Sequence, residues 1–366
     1  MSRAEPYTVI VWGPGYLGEA CVKQILQRPE FDLVGVLAYS DHKNGKDIGE
    51  LLGLGRTGVT VTTNQEEIFN MEADCVLHCG TNMMDDTPRN VEVTRLLESG
   101  KNVVAAPSYH YPYHRGQEFV DMLEDACEKG GTSVHGTGIN PGFYCERLAV
   151  TLTGMCNDID HIRCQEYFDL TKCEAVKILK SCCFGLSLEK AEQIIDRIEY
   201  GANVYYHAAV VQAIERMGHK ADRVDTTSKF TVAQEDLYLD AADFLVKKGE
   251  VTCWEYSITG IVDGKPFFTL DEIFYLDKYA PVPGVGGGEH YKVKIEGKPT
   301  SVSMEMDLRA SVEQDLQYWE GDNVTPGYYA TAMTLIQAIP KVCSAKPGIV
   351  LPEIWAHYMD DYRKLA

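Results

Sequence analysis

The chain has 366 residues, 45% of them hydrophobic, which is too long for one hydrophobic core and apolar enough to build two domains. A formal net charge of −20 argues against nucleic acid and anionic membrane surfaces as partners. No apolar run reaches the about 18 to 20 residues of a membrane span, and the first residues lack the basic-then-apolar layout of a secretion signal, so a soluble, cytoplasmic protein is expected.

In chain order, Tyr7-Thr8-Val9-Ile10-Val11-Trp12 has the pattern of a buried strand and leads into Gly13-Pro14-Gly15-Tyr16-Leu17-Gly18. A G-x-G-x-x-G between strand and helix is a dinucleotide fingerprint. Gly13 serves the tight turn, Gly15 lets the backbone approach a pyrophosphate, and Gly18 lets the helix over 19–27 pack close to the strand. The phosphates then sit on that helix's N-terminus, beside Tyr16 and Leu17. The next strand, 31–38, ends in Ala38-Tyr39-Ser40 and runs into Asp41-His42-Lys43. An acid here holds the ribose 2′-hydroxyl of NAD, whereas polar or basic residues accommodate the 2′-phosphate of NADP. Ser40 and Lys43 favour NADP as the cofactor, and Asp41 keeps NAD open.

Further parallel strands are expected over 74–78, 102–106 and 132–135, separated by helices over 84–98 and 116–128. This alternation specifies a Rossmann-type, doubly wound α/β sheet. Ligands gather at the carboxyl ends of such strands. Cys79, Gly80 and Thr81 are therefore assigned to the nicotinamide-side ribose, while His78 reads as a buried strand histidine. After 142 the character changes: antiparallel strands are expected over 159–170, 226–235, 251–262, 266–276, 290–295 and 300–308. Asp263-Gly264 and Glu296-Gly297 read as hairpin turns, and long helices are expected over 188–217 and 328–342.

The expected organisation is an NAD(P)-binding Rossmann domain over 1–142 and a substrate-binding and dimerisation α+β domain, mostly antiparallel, over 143–326. A helical segment over 327–366 is expected to pack back toward the first domain. The 12 cysteines show neither C-x-x-C nor zinc-like spacing and read as buried hydrophobes, without disulfide or metal.

The stretch His135-Gly136-Thr137-Gly138-Ile139-Asn140-Pro141-Gly142-Phe143 is a bend that brings backbone amides, Asn140 and Pro141 to the crevice where nicotinamide lies. It resembles a hallmark of the dihydrodipicolinate-reductase-like superfamily, in the branch of 2,4-diaminopentanoate dehydrogenase and the native amine dehydrogenases. The fingerprint, Val34-Gly35-Val36 with its Tyr39-Ser40 end, Ile258-Thr259-Gly260, and the stretch from Ala330-Thr331-Ala332 to Ala338-Ile339-Pro340 extend the likeness along most of the chain. The resemblance implies hydride transfer to a carbonyl-derived imine, reductively aminating a small ketone or aldehyde with ammonia, or the reverse deamination of an amine. It also implies a homodimer built through the second domain.

Two departures qualify it. The lysine and paired-histidine signature of dihydrodipicolinate reductase is absent. The amine dehydrogenases carry a catalytic glutamate shortly after the fifth strand, and the matching Ala105-Ala106-Pro107-Ser108-Tyr109-His110-Tyr111-Pro112 holds no acid. Proton transfer still needs a group, and Tyr109, with a depressed pKa, and His110 are the candidates. Pro107 is assigned to the cofactor, and Ser108, Phe143, Tyr144 and Tyr167 to the substrate wall. Glu166 and Asp169 are candidates for holding a cationic amine, Glu146 pairs with Arg147 or a neighbour, and Asn323-Val324-Thr325 closes the pocket. Besides amine dehydrogenation, the residues allow a carbonyl or imine reductase on the same scaffold, and a non-catalytic NADP(H) sensor.

Overall fold

The computed structural model describes residues 3–80, 86–106, 108–281, 289–309, 311 and 324–365. Its elements begin with β1 (Tyr7–Trp12), α1 (Tyr16–Ile25), β2 (Phe31–Leu37), α2 (Ile48–Leu51), β3 (Val61–Thr62), α3 (Gln65–Asn70), β4 (Cys75–His78), α4 (Thr87–Glu98), β5 (Asn102–Ala105), α5 (Gln117–Gly130) and β6 (Ser133–Gly136). A π-helical turn over Tyr144–Ala149 precedes α6 (Val150–Leu152), β7 (Asp158–Asp169), α7 (Val176–Ser181), α8 (Leu188–Arg216), β8 (Arg223–Val232), β9 (Leu237–Leu239) and β10 (Phe244–Val246). Then come β11 (Val251–Val262), β12 (Lys265–Tyr275), β13 (Glu289–Lys298), β14 (Val302–Leu308), α9 (Pro326–Cys343) and β15 (Gly348–Ile349). The chain divides into two compact units, Met1–Phe143 with Glu313–Glu353, and Tyr144–Val312 with Ile354–Ala366.

The first unit holds a parallel sheet in the order β15-β6-β5-β4-β1-β2-β3, the doubly wound Rossmann order extended by one strand. Its strands are mainly apolar because both faces are covered. On β1 the period-two alternation splits side chains between two cores. Val9 and Val11 pack with Val22 and Ile25 of α1 and Leu335, Ile336 and Ile339 of α9. Ile10 and Trp12 pack with Ile68 of α3, Val93 and Leu96 of α4 and Leu123 of α5. The two-residue strands β3 and β15 are additions to the expected elements, being too short to show a period in the sequence.

The second unit holds a six-stranded sheet in the order β14-β13-β7-β12-β11-β8. Its pairs are antiparallel except β7 with β12. Helix α8 covers one face: a Cβ on Gly260 would stand 2.3 Å from Cδ1 of Ile214 and 3.0 Å from Cγ1 of Val210. The turn at Asp263-Gly264 is of the expected type, with φ of 50° and 73°. The turn expected at Glu296-Gly297 does not form, because β13 continues to Lys298 and the chain reverses over 299–301. Gly297 instead marks a register shift and a close approach, for a Cβ there would lie 2.8 Å from Sγ of Cys156. The small hairpin β9–β10 is a further addition to the expected elements.

All twelve cysteines are free thiols, ten of them buried. Among the described residues no helix is long and apolar enough to cross a membrane, and no His, Cys, Asp and Glu side chains group to hold a metal.

Candidate functional site

The glycine turn has the mechanics its spacing demands. Gly13 sits at φ +90°, and a Cβ there would lie 2.9 Å from the amide nitrogen of Gly80. A Cβ on Gly18 would lie 2.3 Å from the carbonyl of Gly13, so only glycine brings α1 this close to β1. Gly15 differs: its φ of −87° suits any residue, and nothing stands within 4 Å of where a Cβ would point. Neither backbone nor packing demands glycine there, and the space it leaves, at the N-terminus of α1, fits a pyrophosphate. Leu17 packs into the first core, and Tyr16 stacks on Tyr328 at 5.5 Å.

At the end of β2, Ser40 is exposed. Lys43 reaches back to the glycine turn, donating to the carbonyl oxygen of Pro14 at 2.6 Å and lying 3.5 Å from Glu19. A cation is thereby held at the turn rather than left in solvent. Cys79 is buried, its sulfur 3.8 Å from that of Cys21, and Gly80 abuts the turn. Thr81, Pro107 and Asn323 lie outside the described residues.

The loops after β5 and β6 meet. A Cβ on Gly136 would overlap the backbone of Tyr109 and His110, at 1.9 and 2.1 Å, so glycine lets the segment 108–110 lie directly on β6. Gly142, at φ +118°, folds the bend carrying Asn140 and Pro141 back onto Thr137. Ser108 is buried in a left-handed conformation and accepts a hydrogen bond from Arg89 at 3.2 Å. Tyr109 departs from expectation. Its ring belongs to the second core, its hydroxyl donates to Oδ1 of Asn90 at 2.7 Å, and burial raises its pKa instead of depressing it. It packs the loop and does not hold a readily released proton. His110 is buried beside it. Val324 belongs to the first core and Thr325 caps α9 by accepting from the amide of Tyr328, so neither is left to close a pocket.

In the second unit the proposed wall residues separate. Phe143 closes the first unit's segment. Tyr144 is fully buried, its hydroxyl donating to the Lys292 carbonyl at 2.5 Å and accepting from the Gln165 amide at 3.0 Å, with its ring edge-on to Tyr291 at 4.8 Å. Tyr167 packs with Cys253, Ile273 and Tyr275. By the alternation of β7 it lies on the opposite face from Glu166, whose cross-strand partner is Tyr291. Tyr144 and Tyr167 therefore do not line one surface. Asp169 accepts from the amide of Thr171 and serves a turn.

Glu166 faces a buried polar row. Glu272 and Tyr291 stand directly beside it on β12 and β13, and Tyr206 of α8 hydrogen-bonds Glu272. The hydroxyl of Tyr291 lies 2.8 Å from Oε1 of Glu166 and 2.8 Å from Oε2 of Glu289. Burial and the charge of Glu166 push the Glu289 carboxyl up to about 7. Glu146 is buried on the π-helical turn, and its charge acts on Arg147. Sequence reading missed Glu272, Glu289 and Tyr291. The available signal was charge at inward positions of an apolar alternation, as with Glu166 between Cys164 and Phe168, and Glu272 between Leu270 and Phe274.

Comparison with known proteins agrees with this architecture. A family model described as dihydrodipicolinate reductase, N-terminus, matches residues 7–104, and one described as 2,4-diaminopentanoate dehydrogenase C-terminal domain matches residues 143–363. An amine dehydrogenase of Streptomyces virginiae is 27% identical over 358 residues, 93% of this chain and 94% of that protein. A 2,4-diaminopentanoate dehydrogenase of Acetoanaerobium sticklandii is 23% identical over 359 residues, 94% of this chain and 92% of that protein. The solved amine dehydrogenase from Mycobacterium smegmatis shares the fold with a TM-score of 0.75 at 20% identity, over 95% of this chain and 96% of that one. With more than half of its length matched by one model, the chain belongs to the 2,4-diaminopentanoate dehydrogenase C-terminal domain family, and it is an oxidoreductase built on a nicotinamide-dinucleotide fold.

Proposed function

We propose that this protein is an amine dehydrogenase that prefers NADP, reductively aminating a small ketone or aldehyde with ammonia, and deaminating the amine in reverse. When bound, the nicotinamide supplies or accepts hydride at the reacting carbon. The turn at Gly15 binds the pyrophosphate, and the cation of Lys43 near Pro14 supports the NADP preference. The residue proposed to move the proton at the reacting nitrogen is His110, which lies against Gly136 next to the bend of Asn140.

The observation that carries the amine reading is the pairing of Glu166 and Glu289 about Tyr291. Carboxyl groups in a sparsely solvated row are suited to a cationic amine. The absence of an acid from that loop favours the second reading, a carbonyl or imine reductase with His110 donating to oxygen or nitrogen. A homodimer through the face of the six-stranded sheet opposite α8 completes the proposal.

The deciding experiment follows NADPH and NADH oxidation with short ketones and aldehydes, with and without ammonium, and identifies products. Amine formed only with ammonium supports the first reading. Alcohol formed whether or not ammonium is present replaces it with the second.

A further inference from the structure

Tyr39, which the cofactor assignments above do not use, has an unusual position. It stands just past the end of β2, after Ala38, and more than half of the residue, 56%, is exposed, yet its hydroxyl is locked in a buried network. That hydroxyl accepts from Nε1 of Trp12 at 2.8 Å and donates to Oε2 of Glu92 at 2.8 Å. Glu92, on α4, also accepts from Nε2 of Gln65 at 3.0 Å and meets Nε2 of His78 at 3.0 Å. Burial holds His78 neutral, so the proton on its Nε2 faces the carboxylate. Burial acts to raise the Glu92 carboxyl, but the hydrogen bonds from His78, Tyr39 and Gln65 more than offset it, and its pKa is lowered.

The network crosses three neighbouring strand ends. Trp12 of β1 and His78 of β4 are register partners with rings stacked at 5.7 Å, and Tyr39 reaches them from β2. Gly80 lies against the phenol: a Cβ there would stand 2.8 Å from the Tyr39 oxygen and 3.2 Å from its ring. Any side chain at 80 would push the ring out of place. The same Gly80 touches the Gly13 turn, so the ring is fixed within the layer of strand ends where a dinucleotide binds in such sheets. An aromatic ring tied by its far end, and left bare on its body, contributes little to a core. It is a prearranged stacking surface.

We infer that Tyr39 is the platform on which the adenine of the dinucleotide stacks, its ring held in place by Trp12 and Glu92 beneath it. The inference rests on the nicotinamide-dinucleotide reading of the glycine turn. Base–aromatic stacking of ordinary strength corresponds to roughly tenfold or more in affinity.

The test is calorimetric binding to the full-length protein of NADPH, NADH, ADP-ribose as the adenine half, and reduced nicotinamide mononucleotide as the other half. Tyr39→Ala is expected to weaken NADPH, NADH and ADP-ribose by a common factor of about ten or more while leaving the mononucleotide unchanged. Tyr39→Phe, which keeps the ring and loses the anchor, is expected to lose less. Thermal unfolding checks each variant, and Tyr39→Leu, which fills the space without a π face, replaces the alanine variant if that one does not fold. Unchanged ADP-ribose affinity, or equal loss of the mononucleotide, overturns the platform. A wild-type protein that binds neither dinucleotide overturns the cofactor reading and the platform with it.

Discussion

The carboxyl groups of Glu166 and Glu289 approach the single hydroxyl of Tyr291 from two sides, each with an oxygen 2.8 Å away. A phenol has one proton to donate, and an ionised carboxylate only accepts. Both contacts are hydrogen bonds when one carboxyl carries a proton, and the Glu289 group, pushed up to about 7, is the one that keeps it.

This has a consequence for stability. Folding raises the Glu289 pKa from 4.5 to about 7, so the folded chain binds that proton more tightly than the unfolded chain. Its contribution is full below the unfolded value and is lost as pH rises through about 7, by at most about 3 kcal/mol. Denaturant unfolding at pH 5, 6, 7 and 8 is expected to show this decline. Glu289→Gln, which keeps an acceptor and a donor without a titrating proton, is expected to flatten it.

Gly15 and Gly18 separate binding from folding. Gly15→Ala is expected to leave thermal stability within about 0.5 kcal/mol of wild type, because its added methyl meets open space, and to weaken dinucleotide binding. Gly18→Ala drives a methyl into the carbonyl of Gly13 and is expected to cost about 1 to 3 kcal/mol. Melting curves and cofactor titration on the two variants read the difference.

Tyr109→Phe removes the hydrogen bond to Asn90 and is expected to cost about 1 kcal/mol of stability with turnover retained. His110→Ala is expected to lower kcat by about a hundredfold or more. Steady-state kinetics on both variants would reverse the assignment if Tyr109→Phe proved the inactive one.

The residues differ in how much they disclosed. Strands buried on both faces announce themselves as apolar runs, and Asp263-Gly264 is legible because few residues other than Asn, Asp and Gly take up a turn with both φ values positive. Gly297 misled for the same reason, since a glycine needed for close approach to Cys156 looks like one needed for a turn. The glycine turn was legible because its three positions are local. The polar row was not: Glu166 and Tyr291 are 125 positions apart, and only the pairing of β7 with β13 brings them together. Tyr109 was misread because its sequence context shows an aromatic loop, while its burial depends on α5 and on Gly136.

Lys43→Ala removes the cation held at the Pro14 carbonyl. It is expected to raise the Kd of NADPH about tenfold, as loss of a charge-assisted contact of about 1.5 kcal/mol would, and to change that of NADH little. Equal effects on both cofactors would assign Lys43 to the shared pyrophosphate.

Helix α9 and strand β15 complete the cofactor-binding unit after the intervening segment Tyr144–Val312: Leu335, Ile336 and Ile339 fill the core beneath α1, and Gly348 pairs with Ser133. A ribosome delivers the glycine turn long before the helix that covers the same core. In the interval Tyr144–Val312, which carries the sheet of the second unit, is made, while the part of the first sheet's apolar face that α9 covers waits exposed. The nascent protein thus carries a sticky surface for as long as that segment takes to make, the condition under which chaperones engage a chain.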